Sequence, residues 1–287
     1  MGMIFQPTFA PEGLLPLARR AEQVGLDELW VWEDCFKESG IATTAAALAA
    51  TERLRVGIGI LPMPLRNVAL TAMELATIER LFPGRGRFGV GHGVLDWMGQ
   101  VGRRVASPLT LMREDVPALR RLLAGEEVTV DGRYVHLDRV RLDWPPERSV
   151  PVLAAGEGPK TVSLTGEVAD GIVLPGPSSP AVVRAAVARV EEARQAAGRS
   201  GEAEVVVFLM ADFGAGSAER MTAELDRWRI PEERRYAATG DDAAVAASVQ
   251  DLLEAGATSV MLQSLGHEPD PLAYTDAVAR VRERVLG

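Results

Sequence analysis

Cysteine, lysine and histidine are nearly missing from this chain. The single cysteine, Cys35, rules out an intrachain disulfide framework. The three histidines, His92, His136 and His267, stand far apart, and no cysteine and histidine cluster has zinc spacing, so no metal site is expected. Lys37 and Lys160 are the only lysines, which leaves arginine to carry the positive charge. Positive charge is itself in the minority: 31 basic against 40 acidic residues give a net charge of -9. That balance excludes the basic face a phosphate backbone requires and points to small-molecule partners rather than nucleic acid. Long apolar runs are absent too, since no segment approaches the roughly 20 residues of a membrane helix. The N-terminal MGMIFQPTFAPEG has no basic stretch ahead of an apolar one, so neither export nor membrane insertion is expected. A reducing cytoplasm fits these absences.

What is present is a core-forming pattern over 287 residues, 47% of them hydrophobic. Eight short apolar or β-branched runs recur, starting at Met3, Glu28, Arg55, Arg87, Val150, Asp170, Glu204 and Ser259. They are continuous in hydrophobicity rather than alternating, as strands of a parallel sheet buried on both faces are. Helical patterns lie between them. PEGLLPLARRAEQVG opens on Pro11, spaces Leu14, Leu17, Ala18, Ala21 and Val24 along one face, and stops at Gly25. SSPAVVRAAVARVEEARQAAG offers Ser179 as N-cap and Pro180 at the first helical position. Eight strands alternating with helices read as an α/β (β/α)8 barrel, with a doubly wound open sheet as the alternative. Two intervals exceed one helix. From Val94 to Ser149 we expect an insertion after the fourth strand, a helix plus a β-hairpin around Asp131-Gly132. From Gly214 to Thr258 two helices should flank RIPEERR. No flexible linker interrupts the chain, so residues 1–287 read as one domain.

In such a barrel the reactive residues follow the C-terminal ends of the strands. Those positions hold Glu33, Asp34 and Cys35 after the second run, Arg66 beyond the third, and His92 and Gly93 after the fourth. Gly156 to Lys160 follow the fifth, and Pro175 and Gly176 the sixth. The stretch FGVGHGVLDWMGQVG fails as a dinucleotide fingerprint, because its glycines are 89, 91 and 93 and Val94 stands where a third spaced glycine belongs. Gly89 and Gly91 instead thin the strand for a close approach. AAGEGPKT runs from a strand into the first turn of a helix and is the better anion site. Trp30 and Trp32 are read as structural, with at most one facing the barrel interior. Cys35 is read as a small buried hydrophobe, and His136 and His267 as structural or solvated.

The ordered set AEQVGLDELWVWED, LAATERLRVGIGILPMPLRN, LFPGRGRFGVGHG, WMGQVG and VPVLAAGEGPKTVSLTGEVADGIVLPG resembles the bacterial luciferase-like flavin and deazaflavin oxidoreductases. It spans Met3 to Gly176 clearly, and the rest of the chain only through the order of strands and helices. The resemblance implies a barrel that binds a flavin-like ring at its mouth, coenzyme F420 or, alternatively, FMN. It implies a bulged third strand with a non-prolyl cis peptide, placed here at Gly59-Ile60, so that Gly59, Ile60 and Leu61 support the ring. The phosphate loop maps onto Gly156, Glu157, Gly158, Pro159, Lys160 and Thr161, with Pro175 and Gly176 beyond. His92 stands where some relatives have a proton-donating glutamate, and an imidazole can serve that role. Asp34 would assist it, and Trp97 and Gln100 would form a substrate wall. Cys35 departs from the pattern, since many deazaflavin-dependent relatives have histidine after that aspartate. The implied activity is hydride transfer between F420 and a small organic substrate. The alternatives are an FMN-dependent monooxygenase and a non-catalytic flavin-binding barrel. A homodimer is implied as well.

Overall fold

A computed structural model describes residues 1–287. In chain order the strands are β1 (Gly2–Phe5), β2 (Glu28–Val31), β3 (Arg55–Pro62), β4 (Gly86–Gly91), β5 (Val128–Asp131) and β6 (His136–Val140). They continue with β7 (Val152–Ala155), β8 (Gly171–Leu174), β9 (Glu204–Phe213), β10 (Ala238–Gly240) and β11 (Ser259–Gln263). The helices are α1 (Leu14–Gln23), α2 (Gly40–Ala49), α3 (Val68–Leu81), α4 (Leu95–Gln100) and α5 (Pro108–Leu123). After them come α6 (Pro159–Val168), α7 (Pro180–Ala196), α8 (Ser217–Arg227), α9 (Asp242–Glu254) and α10 (Pro271–Leu286).

Eight parallel strands pair in the order β1-β2-β3-β4-β7-β8-β9-β11, and β11 pairs back to β1, so the sheet closes on itself. The expected (β/α)8 barrel is the fold. Continuous apolar strands fit it because each strand is covered twice. Ile4, Trp30, Leu153, Val173, Val206, Phe208 and Met261 fill the barrel from inside, while alternate residues pack outward beneath the helices. The helix faces match: α1 buries Leu14, Leu17, Ala18 and Ala21, each leucine contributing about 1.5–3 kcal/mol on burial. Ser179 caps α7, its side chain accepting from the Val182 amide at 3.3 Å.

Four expectations change in detail. The helix foreseen in the insertion, α5, packs between α3 and α6 in the outer ring, because Leu111, Met112, Val116, Leu119 and Leu122 give it a buried apolar face. What the barrel adds after β4 is therefore the short α4 and the antiparallel β5–β6 hairpin. The interval before β11 holds α8 and α9 as foreseen, together with the short β10, which pairs with β9. Both tryptophans of β2 and its extension lie on the inner side. Trp30 is buried in the interior cluster and Trp32 packs against it, as residues two apart on a strand must share a face. Cys35 is half-buried rather than buried.

Candidate active site

The third strand shapes the mouth of the barrel. Against β4, Ile58 pairs with Phe88 and Leu61 with Val90, so β3 spends one extra residue and bulges there. The Gly59-Ile60 peptide within the bulge is cis, at the position expected. Space for a side chain is closed at Gly59 and tight at Gly91. A Cβ on Gly59 would lie 2.6 Å from the Phe208 ring, and one on Gly91 would lie 3.0 Å from Ile60 Cδ1. Phe208 in turn meets Trp30 edge-on at 5.7 Å and stacks on Trp32 at 6.1 Å, forming an aromatic floor.

Above this floor lies a cavity of about 400 Å³. Of the residues singled out from sequence, Asp34, Gly59, Ile60, His92, Trp97, Gly156, Glu157, Gly158, Thr161 and Pro175 border it. Leu61, Gln100, Pro159, Lys160 and Gly176 do not. Leu61 is buried in the outer core, Gln100 and Lys160 are exposed, and Gly176 precedes a cis bond to Pro177 beside β9. Glu33, Gly91 and Gly93, named from the strand ends, line it as well, and the structure adds Pro62, Val94, Ala155, Val173 and Phe208. Phe208 carried a faint signal in sequence, as the lone aromatic inside the aliphatic run VVVFLM.

Charge is arranged by the β2 and β3 loops. Glu33 forms an ion pair with Arg66 and accepts the Gly40 amide at 2.8 Å. The other side of Arg66 meets Glu74 at 3.1 Å. Asp34, next along the chain, has no such cation. Burial pushes its carboxyl up to about 6, the Glu38 carboxylate adds to the shift, and Lys37 offsets part of it. The Cys35 thiol is pushed up by burial and then by the Glu33 and Asp34 carboxylates, which disfavours a nucleophilic thiolate. His92 lies half-buried at the end of β4, with Nδ1 2.7 Å from the Gly93 carbonyl. A carbonyl only accepts, so Nδ1 carries the hydrogen and Nε2 is left as the free ring nitrogen. Across the cavity α6 begins at Pro159 with no side chain capping its first turn, so its leading amides are open to an anion. The mouth thus combines a flat apolar floor, two protonatable side chains and an amide-rich edge.

Residues 2–265 match the luciferase-like monooxygenase family, and the chain belongs to that family of oxidoreductases. A 5,10-methylenetetrahydromethanopterin reductase of Methanolobus tindarius is 29% identical over 224 residues, 77% of this chain and 68% of that protein. An F420-dependent glucose-6-phosphate dehydrogenase of Kineococcus radiotolerans is 27% identical over 302 aligned positions, 91% of this chain and 89% of the relative. Among solved structures, an F420-dependent secondary alcohol dehydrogenase in complex with an F420-acetone adduct superposes with a TM-score of 0.88 at 22% identity. That match covers 100% of this chain and 98% of the other.

Proposed function

We propose that the protein uses coenzyme F420 to exchange a hydride with a small organic substrate. The observation that carries this reading is the cavity itself: a floor of Phe208 and the Gly59-Ile60 bulge, with Asp34 and His92 at its edge. Its volume of about 400 Å³ falls in the roughly 300–1,000 Å³ range of ligand pockets. The fit to a planar ring lies in the missing Cβ atoms, since a side chain at Gly59 would collide with the Phe208 ring and one at Gly91 would crowd Ile60. Relatives named as F420-dependent favour the deazaflavin over FMN.

On this reading Gly59 and Ile60 support the ring, backed by buried Leu61. Gly156, Glu157, Gly158 and Thr161 receive a phosphate at the start of α6, with Pro159 fixing the turn and exposed Lys160 adding charge from outside. Pro175 and Gly176 close the side beyond β8. The deazaflavin supplies the hydride chemistry when bound. The chain's residues supply position and proton control. Nε2 of His92 exchanges the proton at the reacting centre, because Nδ1 is engaged by Gly93. Asp34, kept partly protonated by its burial, assists. Trp97 and Val94 on the α4 side cover the substrate and exclude water, with Gln100 further out on the same helix.

The test separates binding from turnover. Replacing His92 by alanine should leave deazaflavin affinity within a few-fold of wild type while lowering kcat about 10²–10⁴-fold, the usual share of a general acid or base. Full turnover in that variant removes His92 from the chemistry. Equal absence of turnover in wild type and variant, with every acceptor tried, favours a non-catalytic binding barrel. The protein is further read as a homodimer through α3, whose Leu70, Met73 and Leu81 are exposed at 45%, 57% and 66%. Sedimentation equilibrium at twice the monomer mass checks it.

A further inference from the structure

A second cavity of about 440 Å³ adjoins the first and has no part in the chemistry above. The two share a wall. Pro62 borders the first and Met63 and Pro64 the second; Glu33 lines the first and its ion-pair partner Arg66 the second. The far side is formed by Gly102 to Ala106 after α4, by Arg133 and Tyr134 of the hairpin turn, and by Leu111 and Asp115 of α5.

Asp115 is the anomaly. It is only 4% exposed, and among all side-chain hydrogen bonds and ion pairs of the molecule none involves its carboxyl. Burial pushes that carboxyl up to about 7. A buried acid with no partner destabilises a fold, so its presence marks a group kept for something other than packing. Three cations that line the same cavity are unspent as well. Arg103 makes no ion pair, Arg133 lies over the Tyr134 ring at 5.1 Å, and Arg104 reaches only the exposed Asp96 at 3.7 Å. These three are exposed at the rim while Asp115 sits buried below them. A simple anion would meet the arginines and leave Asp115 unpartnered; a simple cation would meet Asp115 and face the arginines. A molecule with an oxyanion at one end and a hydroxyl at the other meets both.

We propose that this cavity binds a small hydroxylated organic anion, its phosphate or carboxylate held by Arg103 and Arg133 and its hydroxyl donated to Asp115. The inference does not rest on the redox reading of the neighbouring cavity. Glycerol 3-phosphate serves as the probe, with inorganic phosphate and glycerol as its two separate halves, followed by titration calorimetry on the full chain. Wild type should bind the probe saturably and more tightly than either half. Asp115→Ala and Arg133→Ala should each weaken it about tenfold or more, the scale of one lost charge-assisted hydrogen bond. Asp34→Asn, altered in the first cavity, should leave probe binding unchanged. Asp115→Leu should raise the melting temperature while losing the probe, which shows that the loss does not come from unfolding. Absence of saturable binding by wild type overturns the proposal, as does equal affinity in Asp115→Ala. Inorganic phosphate binding as tightly as the probe overturns the role of the hydroxyl, and loss of binding in Asp34→Asn moves the probe to the first cavity.

Discussion

Asp34 shows most directly how position makes chemistry from an ordinary carboxyl. Its neighbour Glu33 is neutralised by Arg66, whereas Asp34 is half-buried near Glu38 and its carboxyl is pushed up to about 6. An unfolded aspartate titrates near 3.9, so the native state holds this proton to higher pH. The cost to stability is absent below about pH 4 and fully present above about pH 6. Replacing Asp34 by asparagine should therefore raise stability relative to wild type only as pH climbs through that window, as read by denaturant unfolding at a series of pH values. The same variant should lose an inflection near pH 6 in kcat/KM; an unchanged inflection assigns it to another group. At this scale the sequence was informative where strand ends could be located: Asp34, His92 and Gly156 were named because they follow apolar runs. Phe208 and Asp115 escaped, since a side chain's direction from mid-strand or mid-helix depends on register and packing that composition does not carry.

Elements are held to one another by small polar devices. The β5–β6 hairpin is fastened to α5 by Glu114, whose carboxylate accepts the backbone amides of Arg133, Tyr134 and Val135 at 2.8–3.1 Å. Burial alone would raise its pKa, but these three amides outweigh it and hold the carboxyl below its usual value. Glu114→Ala should cost about 1–2 kcal/mol and speed hydrogen exchange at those three amides, leaving the barrel strands protected. Unchanged exchange there means that the apolar contacts of Val128, Val135 and Leu137 hold the hairpin without help. The hairpin was legible from Asp131-Gly132 between β-rich arms. Its turn is longer than that pair suggests, because Asp131 pairs with His136 and the loop runs over 132–135. The bulge in β3 was reachable only through likeness to a family, since RVGIGIL reads locally as an uninterrupted strand.

For the whole molecule, closure of the barrel joins the two ends of the chain. Asp27, at the entrance to β2, takes a bidentate contact from Arg282 of α10 and another from the Met1 amine, at 2.7–2.9 Å. Burial would raise this carboxyl, yet the two cations overcome it and hold it at about 2. A depressed carboxyl contributes stability that is present above the unfolded pKa near 4 and fades as pH falls toward 2. Arg282→Ala should accordingly lower stability most at neutral pH, with the loss shrinking as pH falls toward 2, and so move the acid-unfolding midpoint to higher pH. An unmoved midpoint assigns acid unfolding to other carboxyls. The barrel was legible because eight doubly buried strands alternate with helices, a period that tertiary context has no reason to override. The place of α5 was not, because a ring helix and an insertion helix present the same apolar stripe. No helix is long and apolar enough to cross a membrane.

The central claim is that the cavity above Phe208 takes a deazaflavin. Titrating the purified apoprotein with coenzyme F420 and, separately, with FMN, followed by cofactor fluorescence, tests it most directly. Saturable micromolar binding of F420, with FMN far weaker, is the expected result. Preference for FMN contradicts the claim and moves the protein to oxygen-dependent chemistry, and binding of neither removes the cofactor reading altogether.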